Sequence, residues 1–191
     1  MLVNEKIPTM QDNENLKVGK RVRKRGLNFY SQPQGPQCIC DNLFKAFRWY
    51  DLENIRSSKL PSKPGVYVIR VRERGNEPIK VYNGFVKLLD KLQWKEFKRY
   101  VISRLERLRR IGKCPIIYIG AAPSSIKSRY RDLSGVRHTV HYPILALLMG
   151  GWKLEYGFKI VNTKGEAKNL ERKLKEEYKR VHNKLPALVE K

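Results

Sequence analysis

The sequence predicts an α+β fold: a small, mainly antiparallel three-stranded central sheet flanked by helices. Strand-like runs occupy residues 66–71, 116–120 and 152–161. The first two are rich in β-branched residues and follow Pro64-Gly65 and Pro115, and the third alternates apolar with polar side chains. Segments with apolar residues at helical spacing separate and follow these runs.

The first two strand regions frame a long insertion. Residues 79–82 follow a Gly-Asn-Glu-Pro turn and are a further short strand candidate. Residues 85–110 lack Gly and Pro and predict one long or two short helices that end near Gly112. Their polar faces are strongly basic, so this is the most basic helical segment of the chain.

Two later segments predict helices, and the first of them has a predicted N-cap. Ser124-Ser125 supplies an N-cap for a helix with Ile126, Tyr130 and Leu133 on one face. The last helix, residues 166–182, follows a turn and carries an apolar stripe. The run 152–161 predicts a half-buried strand, with Glu155 on its polar side.

The charge balance points to a polyanionic partner. Lys and Arg number 41 against 18 Asp and Glu, a formal net charge of +23. Nucleic acid is the leading partner, because each phosphate neutralised by a cation releases condensed counterions. A ribosomal-type or membrane-surface basic protein is the alternative.

The distribution of apolar residues argues against two classes of protein, those that span a membrane and those that are secreted. No stretch reaches the ~20 apolar residues of a membrane span, and the N-terminus lacks the apolar region of a secretory signal. An intracellular, cytoplasmic location without membrane contact is expected. Cys38-Ile39-Cys40 is too tight for the usual zinc spacing and Cys114 is distant, so reduced thiols are expected.

Residues 1–60 predict a basic N-terminal arm, and residues 61–191 the main domain. Residues 17–25 hold six cations, among them Lys20 and Arg21, which indicates either a phosphate-gripping arm or a solvated charged face. The aromatic-rich residues 43–52 predict a short helix docked on the main domain.

Two charged residues fall on apolar helix faces. At about 100° per residue, Glu171 lies roughly 40° from Ala167 and Arg129 about 60° from Ile126. A carboxylate facing the core costs several kcal/mol unless it is paired or holds a metal. The alternatives are a structural Glu171–Arg129 ion pair and an arginine that extends to solvent.

Four elements in order resemble the signature of the GIY-YIG nuclease superfamily. They are Gly65-Val66-Tyr67, Tyr118-Ile119-Gly120, Arg129 on the following helix and Glu171 on the last helix. The resemblance covers residues 61–185 and implies that these groups meet at one concave face. A second Tyr-x-Gly run, at residues 82–84, has no arginine helix after it, so Tyr118-Ile119-Gly120 is preferred. The resulting helical insertion, residues 85–112, is similar to those of the restriction-endonuclease branch.

The resemblance implies metal-dependent hydrolysis of a phosphodiester bond. Tyr118 would act as general base, helped by Tyr67, and Arg129 would stabilise charge on the phosphoryl oxygens. Glu171 would hold one divalent ion, Mg²⁺ or Mn²⁺, at the leaving oxygen. Asn183 follows the glutamate helix and would contact the metal site or a phosphate.

One position departs from the family pattern. Many relatives carry His or Tyr one turn beyond the arginine, where this chain has Leu133. His138 or His141 could supply that group; the alternative is a surface loop histidine. The pair lacks a third ligand, so zinc is not expected there.

The preferred function is cleavage of double-stranded DNA, first as a homodimeric type II restriction enzyme and second as a repair or mobile-element nuclease. A non-catalytic nucleic-acid-binding protein on the same scaffold is the alternative from another class. The residues predicted to bind DNA are Lys20, Arg21, Arg104, Arg107, Arg109, Arg110, Lys127 and Arg131.

Overall fold

The computed structural model describes residues 38–190, so the basic run with Lys20 and Arg21 lies outside the described residues. Four strands form one sheet in the order β1-β4-β2-β3. All neighbouring pairs are antiparallel. The strands are β1 (Arg48–Asp51), β2 (Gly65–Glu73), β3 (Ile116–Ala122) and β4 (Lys153–Ile160). The α+β class is therefore confirmed, with four strands in the sheet instead of three.

The additional strand comes from the aromatic segment before the main domain. Its predicted helix is reduced to a single 3₁₀ turn, Asp41–Phe44, and the chain continues as β1 at the sheet edge. Tyr50 stacks on Phe158 at 5.7 Å between ring centroids. A Cβ at Gly157 would lie 2.5 Å from the Trp49 ring, so the glycine lets the indole rest on the sheet. Packing on β4 explains why the segment is extended.

Five α-helices and two further 3₁₀ turns complete the described chain. The helices are α1 (Pro78–Leu89), α2 (Lys95–Leu105), α3 (Ile126–Leu133), α4 (His141–Met149) and α5 (Lys164–His182). The 3₁₀ turns are Ser57–Lys59 and Glu106–Arg110. No helix among residues 38–190 is long and apolar enough to cross a membrane.

The strand predicted at residues 79–82 is wrong, because these residues form the first turns of α1. Pro78 occupies the first helical position, where its missing N–H breaks no hydrogen bond. Val81, Tyr82 and Leu89 are buried on one helix face. The Tyr-x-Gly run at residues 82–84 therefore lies on a helix.

The middle of strand β4, residues 154–158, is buried on both faces, against the prediction of a half-buried strand, while Lys153 and Lys159 are exposed as predicted. Glu155 is only 5% exposed. It accepts a hydrogen bond from Arg70 Nε at 2.6 Å, and the Arg70 guanidinium lies 3.7 Å from the Trp49 ring centroid. A paired carboxylate can be buried beside apolar neighbours, which is why alternation alone misjudges this strand.

The sheet separates two apolar layers. Val66 and Val68 of β2 pack with Leu174 and Tyr178 of α5 on one face. The alternate β2 residues, including Tyr67, pack on the other face with residues of α1 to α4. This second layer holds the predicted tyrosine pair.

Candidate active site

Tyr67 and Tyr118 lie on the same face of neighbouring strands. Tyr67 pairs with Gly120 across the β2–β3 ladder, and Tyr118 pairs with Ile69. The two hydroxyl oxygens are 3.5 Å apart and the ring centroids 5.6 Å apart. A Cβ at Gly120 would lie 2.8 Å from Tyr67 Oη and 2.7 Å from Tyr118 Cε1. Glycine at 120 therefore gives the two rings room to meet.

The glycine of the first motif has a different neighbour. A Cβ at Gly65 would lie 2.4 Å from the Lys159 carbonyl oxygen and 2.9 Å from Ile126 Cδ1. Gly65 thus lets β4 and the start of α3 approach β2 closely. Helix α3 begins at the predicted cap, since Ser125 Oγ accepts a hydrogen bond from the Ser128 amide at 3.0 Å.

Of the two candidate histidines, His138 reaches the tyrosine pair. Its Nε2 lies 3.1 Å from Tyr67 Oη, and its ring is perpendicular to that of Tyr118 at 6.2 Å. His141 instead lies 3.0 Å from the Leu133 carbonyl oxygen, through its Nδ1. Leu133 itself is a core residue, 6% exposed.

Hydrogen bonding fixes the tautomer of His138. The Val140 amide donates to Nδ1 at 3.3 Å, so Nδ1 is the unprotonated nitrogen and Nε2 carries the hydrogen toward Tyr67. Burial, helped by the nearby positive charge of Arg129, lowers the pKa of His138 to about 4. The imidazole is therefore neutral at neutral pH.

Tyr67 is a donor in this cluster. Burial raises the pKa of its hydroxyl well above the ordinary value, and the adjacent Tyr118 adds to the rise, while Arg129 opposes it. Tyr67 accepts from His138 and donates to Tyr118. A directed chain of hydrogen bonds therefore ends on the Tyr118 oxygen, and Tyr118 is partly exposed.

Arg129 lies near this chain of hydrogen bonds. Its Nε donates to the Ala121 carbonyl oxygen at 3.3 Å, which ties the α3 side chain to the end of β3. Asp132, 3.6 Å from Nη1, is its ion-pair partner. The side chain is 35% exposed, so part of the guanidinium faces solvent.

Tyr156 is a neighbour that the sequence prediction treated only as a core residue. Its ring stacks on Tyr67 at 5.5 Å between centroids. The Tyr156 hydroxyl is buried and has no hydrogen-bond partner among the described residues. Alternation along β4 places this residue inward, but nothing in that pattern distinguishes it from an apolar side chain.

Glu171 is not joined to the tyrosine cluster. Helix α5 covers the opposite face of the sheet. The Glu171 carboxylate accepts a hydrogen bond from Lys175 Nζ at 2.6 Å, and its side chain is 23% exposed. Within residues 38–190 it makes no ion pair with Arg129, so the alternative structural pair is not formed.

Asn183 has a local backbone role. It ends α5 in the left-handed conformation, with φ of 55°. Asparagine tolerates this conformation better than most residues, which explains its presence at the helix end.

Three of the arginines predicted to bind DNA hold the C-terminal segment instead. Arg107 is buried and donates to the carbonyl oxygens of Thr139 and Leu188 at 3.3 and 3.2 Å. Arg104 and Arg107 both pair with Glu190, and Arg110 donates to the Val189 carbonyl oxygen. These contacts enclose the Arg107 guanidinium, which leaves it little surface for a phosphate, and its binding to DNA stays a prediction.

The remaining cations are more accessible. Arg109 is half exposed, paired with Glu106 and placed 4.4 Å from the Tyr82 ring centroid. Arg131 is exposed and Lys127 partly exposed, both on α3 with Arg129. Neither Lys127 nor Arg131 has an ion-pair partner in the part of the chain that the structure describes.

A second group of chemically active side chains was missed from the sequence. Cys38, Cys40, Cys114 and His182 bring one ligand atom each within 4.8 Å of one another, so they could bind a metal ion. All three cysteines are free, in agreement with the prediction of reduced thiols, and Cys114, although distant in sequence, lies beside Cys38 and Cys40. These residues are up to 144 positions apart, so only the fold reveals the group.

No known protein family, curated protein or solved structure matches this chain.

Proposed function

We propose that this chain is a metal-dependent endonuclease that hydrolyses phosphodiester bonds of double-stranded DNA, similar to GIY-YIG nucleases. The observation that supports it most is the hydrogen-bond chain from the Val140 amide through His138 and Tyr67 to the Tyr118 oxygen. A packing cluster has no need of a partly exposed phenol at the end of such a chain.

The chain of hydrogen bonds gives Tyr118 a defined role. Because Tyr67 directs its proton at the Tyr118 oxygen, negative charge on that oxygen is stabilised by a fixed donor. Neutral His138 in turn holds the Tyr67 hydroxyl in place. Tyr118 in its phenolate form would take the proton from the attacking water and become the neutral phenol, and Tyr67 and His138 would orient the Tyr118 oxygen.

Arg129 would stabilise the phosphoryl group. Its guanidinium is partly exposed, and its charge already influences the pKa of His138 and Tyr67. A planar guanidinium matches two phosphate oxygens, and the ion pair with Asp132 is long enough to yield to a phosphate.

The Glu171 carboxylate suits Mg²⁺ or Mn²⁺, which bind hard oxygen ligands and keep several waters. It is partly exposed, and its one ion-pair partner among residues 38–190 is Lys175. An ion held there would neutralise charge on the leaving oxygen. Glu171 makes no direct contact with the tyrosine cluster and belongs to the helix on the other face of the sheet. Because Tyr118 lies on the edge strand β3, this proposal requires the scissile phosphate to lie across that edge, between the two groups.

The restriction-type subclass carries a further expectation. One cluster of this kind cuts one strand at a time, so a double-strand break at one position calls for two copies of the chain. We therefore propose a homodimer on DNA. Repair or mobile-element nucleases are the second subclass.

The test is Mg²⁺-dependent conversion of supercoiled plasmid by wild type, Glu171→Gln and the control Glu176→Gln. Glu176 is exposed on the same helix, so its substitution removes the same charge. Cleavage by wild type and Glu176→Gln, abolished by chelator and reduced at least ~100-fold in Glu171→Gln, would support the proposal. Equal rates in both variants would refute the role of Glu171. Tight DNA binding without cleavage by any protein would favour a non-catalytic binding protein.

A further inference from the structure

The three cysteines of the chain and one of its three histidines meet at a single point. Cys38 Sγ lies 3.5 Å from Cys40 Sγ, 3.5 Å from Cys114 Sγ and 3.5 Å from His182 Nε2. The Cys40 and Cys114 sulfurs are 3.6 Å apart. Four potential ligands therefore surround one small volume.

These spacings fit one tetrahedral ion. Bonds of about 2.3 Å to sulfur and about 2.0 Å to nitrogen place two sulfurs roughly 3.8 Å apart, and a sulfur and a nitrogen roughly 3.5 Å apart. We propose that Cys38, Cys40, Cys114 and His182 form a structural Zn²⁺ site. All four positions are filled by protein, as in closed Cys₃His sites, whereas catalytic zinc keeps one position for water.

Three separate parts of the fold supply the ligands. Cys38 and Cys40 lie on a turn in which the Asp41 amide donates to the Cys38 carbonyl oxygen at 2.9 Å and the Asp41 carboxylate accepts from the Cys38 amide at 2.8 Å. Cys114 directly precedes the Pro115 that leads into β3, and His182 is the last residue of α5. The turn explains how a C-x-C pair directs both sulfurs to one side.

Neighbouring groups suit an ion with three thiolates. Arg110, Lys113 and Lys184 line the cavity beside the group, and their charge would offset the net negative charge of Zn²⁺ with three thiolates. The Tyr178 ring packs on the His182 imidazole at 4.3 Å between centroids, which orients it. Such contacts position ligands in metal sites.

Other occupants fit less well. A disulfide would join two sulfurs at about 2.05 Å and leave the third thiol and the imidazole without a role. An iron–sulfur cluster binds its ligands on different iron atoms, which requires wider separations than one ion does. Soft thiolates with one imidazole in tetrahedral array favour zinc over Mg²⁺ or Mn²⁺. The site is independent of the nuclease proposal and uses none of its residues.

The test is the metal content of the full chain, purified under reducing conditions without chelator. We expect one zinc per chain by elemental analysis. We also expect that replacement by Co²⁺ gives a thiolate charge-transfer band and the strong visible bands of tetrahedral cobalt. His182→Ala and Cys114→Ser should lose the ion, whereas His182→Cys should retain it as a four-cysteine site. His141→Ala, a histidine outside the group, is the control.

Wild-type protein without zinc that also fails to take up Co²⁺ would overturn the proposal. So would full zinc occupancy in Cys114→Ser or His182→Ala. If these two variants do not fold, retention of zinc by His182→Cys and the cobalt spectrum of wild type decide the question. Wild-type protein that is purified without reductant, holds no zinc and has a mass lower by the two hydrogens lost in forming one disulfide would also contradict the proposal.

Discussion

At the residue scale, Gly120 shows why the motif needs a glycine. The space that a Cβ would fill is taken by the Tyr67 hydroxyl and the Tyr118 ring. In the sequence, the Tyr-x-Gly pattern was noticeable only because it resembles a family motif. The register across β2 and β3 gives the physical reason for the glycine, because it places Gly120 opposite Tyr67. Residue 120 is a glycine because the two tyrosine side chains leave no room there for a Cβ.

Gly120→Ala should destabilise the protein by about 1–3 kcal/mol, because a methyl group there forces two packed rings to move. Gly84→Ala is the matched control: nothing lies within 4 Å of its added Cβ, and Gly84 is within α1. Alanine in a helix should stabilise by roughly 0.5–1 kcal/mol. Urea unfolding of both variants measures the difference. A Gly120→Ala protein as stable as wild type would contradict the crowded geometry.

The buried imidazole of His138 predicts a pH effect. Its pKa is about 4 in the folded chain and near 6.5 when unfolded. Between these values the unfolded chain binds the extra proton, so this contribution to stability is lost as pH falls from about 6.5 to about 4. Partial exposure limits the loss to about 1–2 kcal/mol.

Chemical unfolding at pH 7 and pH 4.5 measures this loss, with His138→Gln as the reference that removes the titrating group. Wild type should lose more stability than His138→Gln between the two pH values. Equal losses would show that His138 is not held in its neutral form.

At the element scale, caps and breakers were the reliable signals. Ser125 begins α3, and Thr163 begins α5 by accepting from the Glu166 amide at 3.1 Å. The short apolar run at residues 79–82 was ambiguous, because four residues fit a strand as well as a helix start, and Pro78 decided for the helix. Helix α4 was missed: its apolar residues lack the one-sided pattern of a surface helix.

The structural role of Arg107, which lies in the 3₁₀ turn Glu106–Arg110, can be tested by substitution. Arg107→Met removes two donors to carbonyl oxygens and the ion pair with Glu190. We expect a loss of about 2–3 kcal/mol, because acceptors stay buried without partners. Arg109→Met, at a half-exposed pair, should change stability by less than about 1 kcal/mol. Thermal unfolding of the two variants distinguishes them, and equal losses would refute the structural role.

At the scale of the whole molecule, the net charge of +23 favours a polyanion but does not say where it binds. Three of the six arginines that the sequence marked as DNA-binding, Arg104, Arg107 and Arg110, contact the C-terminal segment. The metal-ligand group also depends on long-range contacts, between residues 38, 114 and 182. Neither the arginine contacts nor the Cys–His group is marked by a short sequence motif, so both could be found only from the three-dimensional structure.

The accessible cations of α3 predict how DNA affinity depends on salt. Replacing Lys127 and Arg131 together by Gln should lower the slope of log affinity against log salt by about 2, since each cation releases about one counterion. The control replaces Lys80 and Arg99 by Gln, which removes the same charge at exposed positions of α1 and α2. Fluorescence anisotropy with duplex DNA at several salt concentrations gives the slopes. The same slope in both double variants would place the DNA elsewhere.

The proposed catalytic role of the tyrosine cluster depends on one oxygen atom, that of Tyr118. The most direct measurement is the single-turnover cleavage rate of plasmid DNA by Tyr118→Phe, compared with wild type and with Tyr100→Phe. Tyr100 is an exposed tyrosine whose hydroxyl only approaches the Val136 carbonyl oxygen at 3.5 Å. We expect at least ~100-fold slower cleavage by Tyr118→Phe, with unchanged DNA affinity and with Tyr100→Phe at the wild-type rate. Cleavage by Tyr118→Phe at the wild-type rate would contradict the proposed role of Tyr118.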